Sequence, residues 1–231
     1  MNNSLPLISI LIPIFNGIEF IDESVSSIKN QTYNNWELLI GINGHCINSD
    51  VYEIAKKYEN EKIFIFQFSP ETIKGKPNTL NELVKYTSSQ SQYVALLDVD
   101  DIWHPTKLEK QIPYLYMYDV IGTQCFLFGD VNYISKNPNG DLSNHNFLNS
   151  NPIINSSSLI KKELAFWNDT FKFFDDYELW LLLKKQNKRF FNLYEPLVKH
   201  RVHNNSAFNS VEKSNKYLYN SNLNKLRNKY S

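Results

Sequence analysis

Tyr93-Val94-Ala95-Leu96-Leu97-Asp98-Val99-Asp100-Asp101-Ile102-Trp103 is the stretch on which the reading of this chain turns. Apolar residues run without alternation from Tyr93 to Leu97 and stop at three carboxylates. Such a run reads as a strand buried on both faces, as in a parallel sheet. In open α/β sheets a ligand sits beyond the carboxyl ends of the strands. Alternate residues of an extended chain point the same way, so Asp98 and Asp100 are candidates to face one ligand. Hard oxygen ligands suit Mg²⁺ or Mn²⁺, which in turn bind phosphates. Carboxylates after a strand also serve as turn formers or helix N-caps. Pro105-Thr106-Lys107-Leu108 reads as a helix start that Asp101 would cap.

Outward from that strand the pattern repeats. Residues 7–12 form a second apolar strand ending in the turn 13–17, followed by helical spacing at Phe20, Ile21, Val25 and Ile28. Residues 36–42 read as a strand ending at Asn43-Gly44-His45, 50–58 as a helix and 62–67 as a strand. Leu80, Leu83 and Val84 mark one more helix. This alternation through residue 118 predicts βαβ units on a mostly parallel sheet. Right-handed crossovers then place the loops 13–17, 43–46 and 98–103 along one edge. Beyond Pro113 the pattern changes. Residues 120–134 are irregularly strand-like, 136–151 a long polar loop, 153–160 a short extended segment, 175–186 a helix opening on acidic residues, and 190–193 a strand. Residues 199–203 form a basic, imidazole-rich stretch. The predicted organisation is a ligand-binding half over 1–118, a second half of the same domain over 119–209, and a peripheral helix or tail over 210–231.

Composition narrows the function classes. The 24 basic and 24 acidic residues cancel, so no global field points to nucleic acid or an anionic membrane. No apolar run approaches the ~20 residues of a membrane helix, and the first residues lack the features of a signal peptide. Two cysteines, Cys46 and Cys125, make neither a disulfide framework nor a metal motif. Reduced thiols and a cytoplasmic location are expected.

Four stretches carry a resemblance. They are Ile8-Ser9-Ile10-Leu11-Ile12-Pro13-Ile14-Phe15-Asn16; Asn30-Gln31-Thr32-Tyr33 with Trp36-Glu37-Leu38-Leu39-Ile40; Gly75-Lys76 and Leu80-Asn81 with residues 94–103; and Asp175-Asp176-Tyr177-Glu178-Leu179-Trp180 with Glu195-Pro196-Leu197-Val198 and Arg201-x-His203. Their order and spacing resemble glycosyltransferase family 2, whose fold is the Rossmann-like nucleotide-binding architecture called GT-A, an α/β fold with a C-terminal acceptor-side region. The match covers about residues 5 to 206. The resemblance implies an inverting transfer of a hexose from a nucleotide-diphosphate sugar to a hydroxyl acceptor, in glycan or polysaccharide synthesis, with Mn²⁺ or Mg²⁺ as cofactor. A UDP-sugar is the expected donor, with GDP- and dTDP-sugars as alternatives.

Roles carry over residue by residue. Asp98-Val99-Asp100 matches the family's Asp-x-Asp motif, so Asp100 is expected on the metal and Asp98 on ribose or metal. Asp176 matches the catalytic base. Pro13, Phe15, Asn16, Asn43 and Lys76 fall in the donor-binding stretches. Arg201 is expected at the diphosphate and His203 on the metal, against a solvated loop as the alternative for both. Trp103 and Trp180 are expected to shape the sugar and acceptor pocket. The sequence departs from the family at Ile42-Asn43-Gly44-His45, where Asp-Asp-Gly-Ser is usual and an Asp reads the nucleobase; Asn43 offers a donor and an acceptor instead. That departure keeps a non-catalytic binding relic in view. A sugar nucleotidyltransferase is disfavoured, because Pro13 to Gly17 holds no basic residue.

Overall fold

A computed structural model describes residues 5–203 and 216–231. The first four strands are β1 (Leu7–Ile14), β2 (Trp36–Ile42), β3 (Ile63–Gln67) and β4 (Ser91–Leu96). They pair in parallel in the order β3-β2-β1-β4. Side chains along them divide cleanly between the two faces. Ile8, Ile10, Ile12, Leu38, Ile40, Ala95 and Leu97 pack on one side, with α1 (Ile21–Lys29), α2 (Asp50–Lys56) and α4 (Lys107–Gln111). Leu11, Leu39, Val94 and Leu96 pack on the other, with α3 (Gly75–Tyr86), α5 (Asp175–Lys185) and α6 (Lys216–Tyr230). Both faces are covered, which is why the strand sequences show no polar alternation.

The second half extends the same sheet with mixed pairing. β9 (Leu159–Lys161) lies antiparallel between β4 and β6 (Val120–Gly129), and β10 (Phe190–Val202) runs parallel to β6. The short β7 (Tyr133–Ile134) and β8 (Gly140–Asp141) pair antiparallel with β6 and β10.

Two sequence expectations change here. The predicted strand over 190–193 continues to Val202, with register breaks around Pro196, where the ring removes a ladder donor. The basic stretch 199–203 is therefore mostly strand rather than solvated loop. The predicted loop 98–103 contains β5 (Ile102–Trp103), antiparallel to Val198 and Lys199 of β10. Short-range patterns carry no information on either pairing, because Phe190 pairs with Val120, 70 residues away, and Val198 with Trp103, 95 residues away.

Candidate active site

The carboxyl ends of β1, β2 and β4 meet as predicted. The Asn43 amide N–H donates to the Ile14 carbonyl (2.9 Å), and His45 contacts the Phe15 carbonyl through its ring. Gly44, at φ +76°, lies directly beneath the Phe15 ring; a Cβ there would collide with it. Phe15 is left 55% exposed, a ring with one face supported and the other open. Asn43 is buried, and its side-chain N–H donates to the Ile14 carbonyl at 3.1 Å. Its Oδ1 is buried without a hydrogen-bond partner. Pro13 sits inside β1 opposite Gly41, half-buried, while Asn16 is exposed beyond the strand end.

The three aspartates after β4 have separate environments. Asp98 Oδ1 pairs with the Lys76 ammonium at 2.6 Å. Asn155 Nδ2 donates to both Asp98 oxygens (3.2 and 3.3 Å), and the Asp98 N–H donates to Ser156 Oγ. Burial opposes charge on Asp98, but the Lys76 ammonium, aided by Asn155, outweighs it and holds the carboxyl below its ordinary value. Asp100 Oδ2 lies 3.0 Å from His203 Nε2. Burial, then the carboxylates of Asp101 and Asp98, push Asp100 upward.

Asp101 is fully buried and caps no helix; the residue before α4 is Thr106. Asp101 instead accepts the Arg201 backbone N–H (2.8 Å) and pairs with His200 Nδ1 (2.9 Å). Burial works against charge on His200, yet the three aspartates raise it to about 9. Arg201 sends Nε to the Asp100 carbonyl and Nη2 to Glu23, with its guanidinium between the rings of Phe20 and Phe128. The end of β10 thus grips the 98–101 turn from the side.

The second acidic group opens α5. Gly75, at φ +78°, turns the chain into α3 and sets Lys76 in its first turn. Pro77 follows, where a missing N–H costs nothing. Since α3 and α5 cover the same sheet face, the Lys76 ammonium is in the field of Asp98, Asp175 and Asp176 together. These carboxylates raise its pKa despite burial. Asp176 Oδ2 accepts from Asn151 Nδ2 (3.0 Å) and Oδ1 from the Tyr177 N–H (2.7 Å). Asp175 Oδ2 is buried without a hydrogen-bond partner. Burial first and Asp175 second push Asp176 up to about 7, against the pull of Lys76. Phe174, not an aspartate, is the N-cap of α5.

The structure therefore brings Lys76, Asp98, Asp175 and Asp176 together, and Asp100 with Arg201 and His203. It removes Trp103 and Trp180 from any pocket. Both are buried in the core, with their indole N–H groups on the Ser156 and Ile153 carbonyls. Sequence reading missed Asn151 and Asn155, which bond the Asp176 and Asp98 carboxylates, and Ser156, whose Oγ accepts the Asp98 backbone N–H. The available signal was a run of Asn and Ser wedged between Ile153-Ile154 and Leu159-Ile160, where a buried segment has to bond its polar groups. Among the described residues, no three His, Cys, Asp or Glu side chains are arranged to hold a metal by themselves. Asp100 with His203 offers a hard carboxylate and an imidazole, and the carboxylate crowding that raises Asp100 is what a cation relieves. The donor chemistry of these two side chains suits a hard divalent ion. Asp98 is committed to Lys76 and Asn155.

Comparison with known proteins gives the family. The family profile described as Glycosyl transferase family 2 matches residues 9–191. The bifunctional glycosyltransferase pgtA of Dictyostelium discoideum is 27% identical over 92% of this chain, which spans 35% of that protein. The O-antigen biosynthesis glycosyltransferase WbnJ of Escherichia coli is 29% identical over 90% of this chain and 84% of its own length. Among solved structures, S. aureus TarS 1-349 in complex with UDP-GlcNAc superposes with a TM-score of 0.69 at 16% identity, over 88% of this chain and 60% of that one. Mannosyltransferase PcManGT from Pyrobaculum calidifontis, in complex with GDP-Man and Mn²⁺, gives 0.65 at 12% identity, over 99% and 74%. The chain belongs to glycosyltransferase family 2 and is a glycosyltransferase of GT-A fold.

Proposed function

We propose that this chain transfers a sugar from a nucleotide-diphosphate donor to a hydroxyl acceptor, by single displacement with inversion, in glycan synthesis. The observation that carries the reading is the pairing of two carboxylate groups across Lys76. One sits at the end of the Asp-x-Asp strand, and the other holds a carboxyl at about 7.

The donor's base lies against Phe15 and Asn43. Asn43 keeps an unpartnered Oδ1 and, beyond the Nδ2–H spent on Ile14, a second N–H. An acceptor there suits an imino N–H, as in uracil, thymine or guanine. Uracil is preferred, consistent with the UDP-GlcNAc complex of TarS; guanine has the GDP-Man complex of PcManGT behind it. Asp98, kept charged by Lys76, takes the ribose hydroxyls. Asp100 and His203 would hold Mn²⁺ or Mg²⁺, which supplies charge neutralisation on the diphosphate leaving group. Arg201, already paired with Glu23, braces the Asp100 turn beside that charge. Asp176 accepts the acceptor hydroxyl's proton as its oxygen attacks the anomeric carbon. The free thiols of Cys46 and Cys125 fit a cytoplasmic setting. Among the described residues no helix is long and apolar enough to cross a membrane.

The test is a thermal-shift panel of UDP, GDP, dTDP and their sugars, each with Mn²⁺ and with EDTA, followed by nucleotide release on acceptor addition. Metal-dependent stabilisation by one nucleotide is the expected result. Stabilisation that survives EDTA, with no nucleotide release, would instead favour a sugar-binding relic.

A further inference from the structure

α6 is joined to the machinery around Asp176. Its inward face follows helical spacing: Tyr219, Leu223, Leu226 and Tyr230 pack into the same core as α5, and Leu226 is fully buried. Tyr219 meets Phe174, the residue that leads into Asp175 and Asp176, with ring centroids 5.0 Å apart. One turn further along α5, Glu178 is fully buried. Its Oε1 accepts from Lys229 Nζ (2.7 Å) and from the Tyr230 hydroxyl (3.1 Å), while Oε2 is buried without a partner. The charge of Glu178 is therefore met from α6. On the other side, Arg227 Nη2 donates to the Asn149 carbonyl (2.8 Å). Two residues on, Asn151 donates to Asp176. One short stretch of α6, 227–230, thus holds both the helix that carries Asp176 and the segment that orients its carboxylate.

Lys229 is partly exposed and its partner Glu178 fully buried, so the pair is a weak source of net stability, but removing Lys229 strands a buried carboxylate. The arrangement is better explained by position than by strength. We infer that α6 is a clamp that sets the orientation of Asp176, with Lys229 and Arg227 as positioning residues acting through Glu178 and Asn149. The inference rests on Asp176 being the base.

The test compares Lys229→Met, Lys229→Arg and Asp176→Asn in the full chain. Lys161→Met serves as a control: it breaks a half-buried ion pair with Asp119 (2.7 Å) on β9, away from α5. Melting temperature, nucleotide-sugar affinity and kcat are read for each. Small misplacements of a catalytic group can cost up to about 100-fold. Lys229→Met is expected to lower kcat about 10- to 100-fold with donor affinity unchanged, and Lys229→Arg to recover most of it. Lys161→Met is expected to keep wild-type kcat. If Lys229→Met fails to fold, Arg227→Gln, which releases the Asn149 carbonyl, carries the same expectation.

Wild-type kcat in Lys229→Met, with turnover lost in Asp176→Asn, overturns the clamp and leaves the base in place. Equal kcat losses in Lys229→Met and Lys161→Met at matched melting temperatures reduce α6 to a general stabiliser and also overturn it. Full turnover in Asp176→Asn removes the base assignment, and the clamp's role with it.

Discussion

The two acidic groups of the site differ in how their charge is met. After β4, each aspartate has a specific cationic or imidazole neighbour: Lys76 for Asp98, His203 for Asp100, His200 for Asp101. At the start of α5, Asp175 and Asp176 stand side by side and share only the field of Lys76, with Asp175 Oδ2 unpartnered. Asp98 in the first group is held ionised by Lys76, whereas Asp176 in the second keeps a carboxyl near the point of taking a proton. Opposite tuning of nearby carboxylates is how one site separates binding from proton transfer.

The largest expected effect breaks the second group. Asp176→Asn should cut turnover by about 10²- to 10⁴-fold, the range for a general base, with donor affinity nearly intact by calorimetry. Near-normal turnover would remove the contrast between the groups. Asp100→Ala should next abolish the tightening of nucleotide binding by Mn²⁺; unchanged metal-dependent affinity would sink its role as ligand.

The pH dependence sharpens the comparison. A base held at about 7 by burial, with Asp175 beside it and Lys76 opposing, is active only when deprotonated. Then kcat should rise with pH through about 7. Stability runs the other way. The folded chain binds this proton more tightly than the unfolded chain, so the group's contribution is greatest at low pH and is lost as pH rises from the ordinary carboxylate range to about 7. Asp176→Asn should accordingly raise the melting temperature more at pH 8 than at pH 5. An equal shift at both would deny the buried, raised carboxyl. The smallest effect belongs to the base platform. Phe15→Ala should weaken nucleotide affinity about 2- to 10-fold by titration, the scale of one ring contact, and leave the pH profile alone.

Legibility followed the range of the interactions. β1 to β4 and the helices between them were readable because burial on both faces writes itself as apolar runs and helical spacing, each local to a few residues. The gathering of residues 13–17, 43–46 and 98–103 followed from parallel topology alone. Asp98, Asp100 and Asp176 were singled out through motif order. The supports were not. Asn155 reaches Asp98 across 57 residues and Arg201 reaches Asp101 across 100. A polar loop gives no local sign that it folds back onto a carboxylate. Trp103 and Trp180 were misplaced for a related reason: an aromatic near a motif looks the same in a sequence whether its ring faces a ligand or the core.

What the amino-acid sequence determined by itself is the α/β fold, the strand edge where the acidic residues gather, and the residues able to carry charge there. Tertiary structure alone decided how those charges are set. Lys76, placed between two acidic groups by the packing of α3 and α5 on one sheet face, keeps Asp98 ionised but does not offset the burial of Asp176. A carboxyl's affinity for its proton depends on burial and on neighbours a few ångströms away, and only the folded chain supplies them.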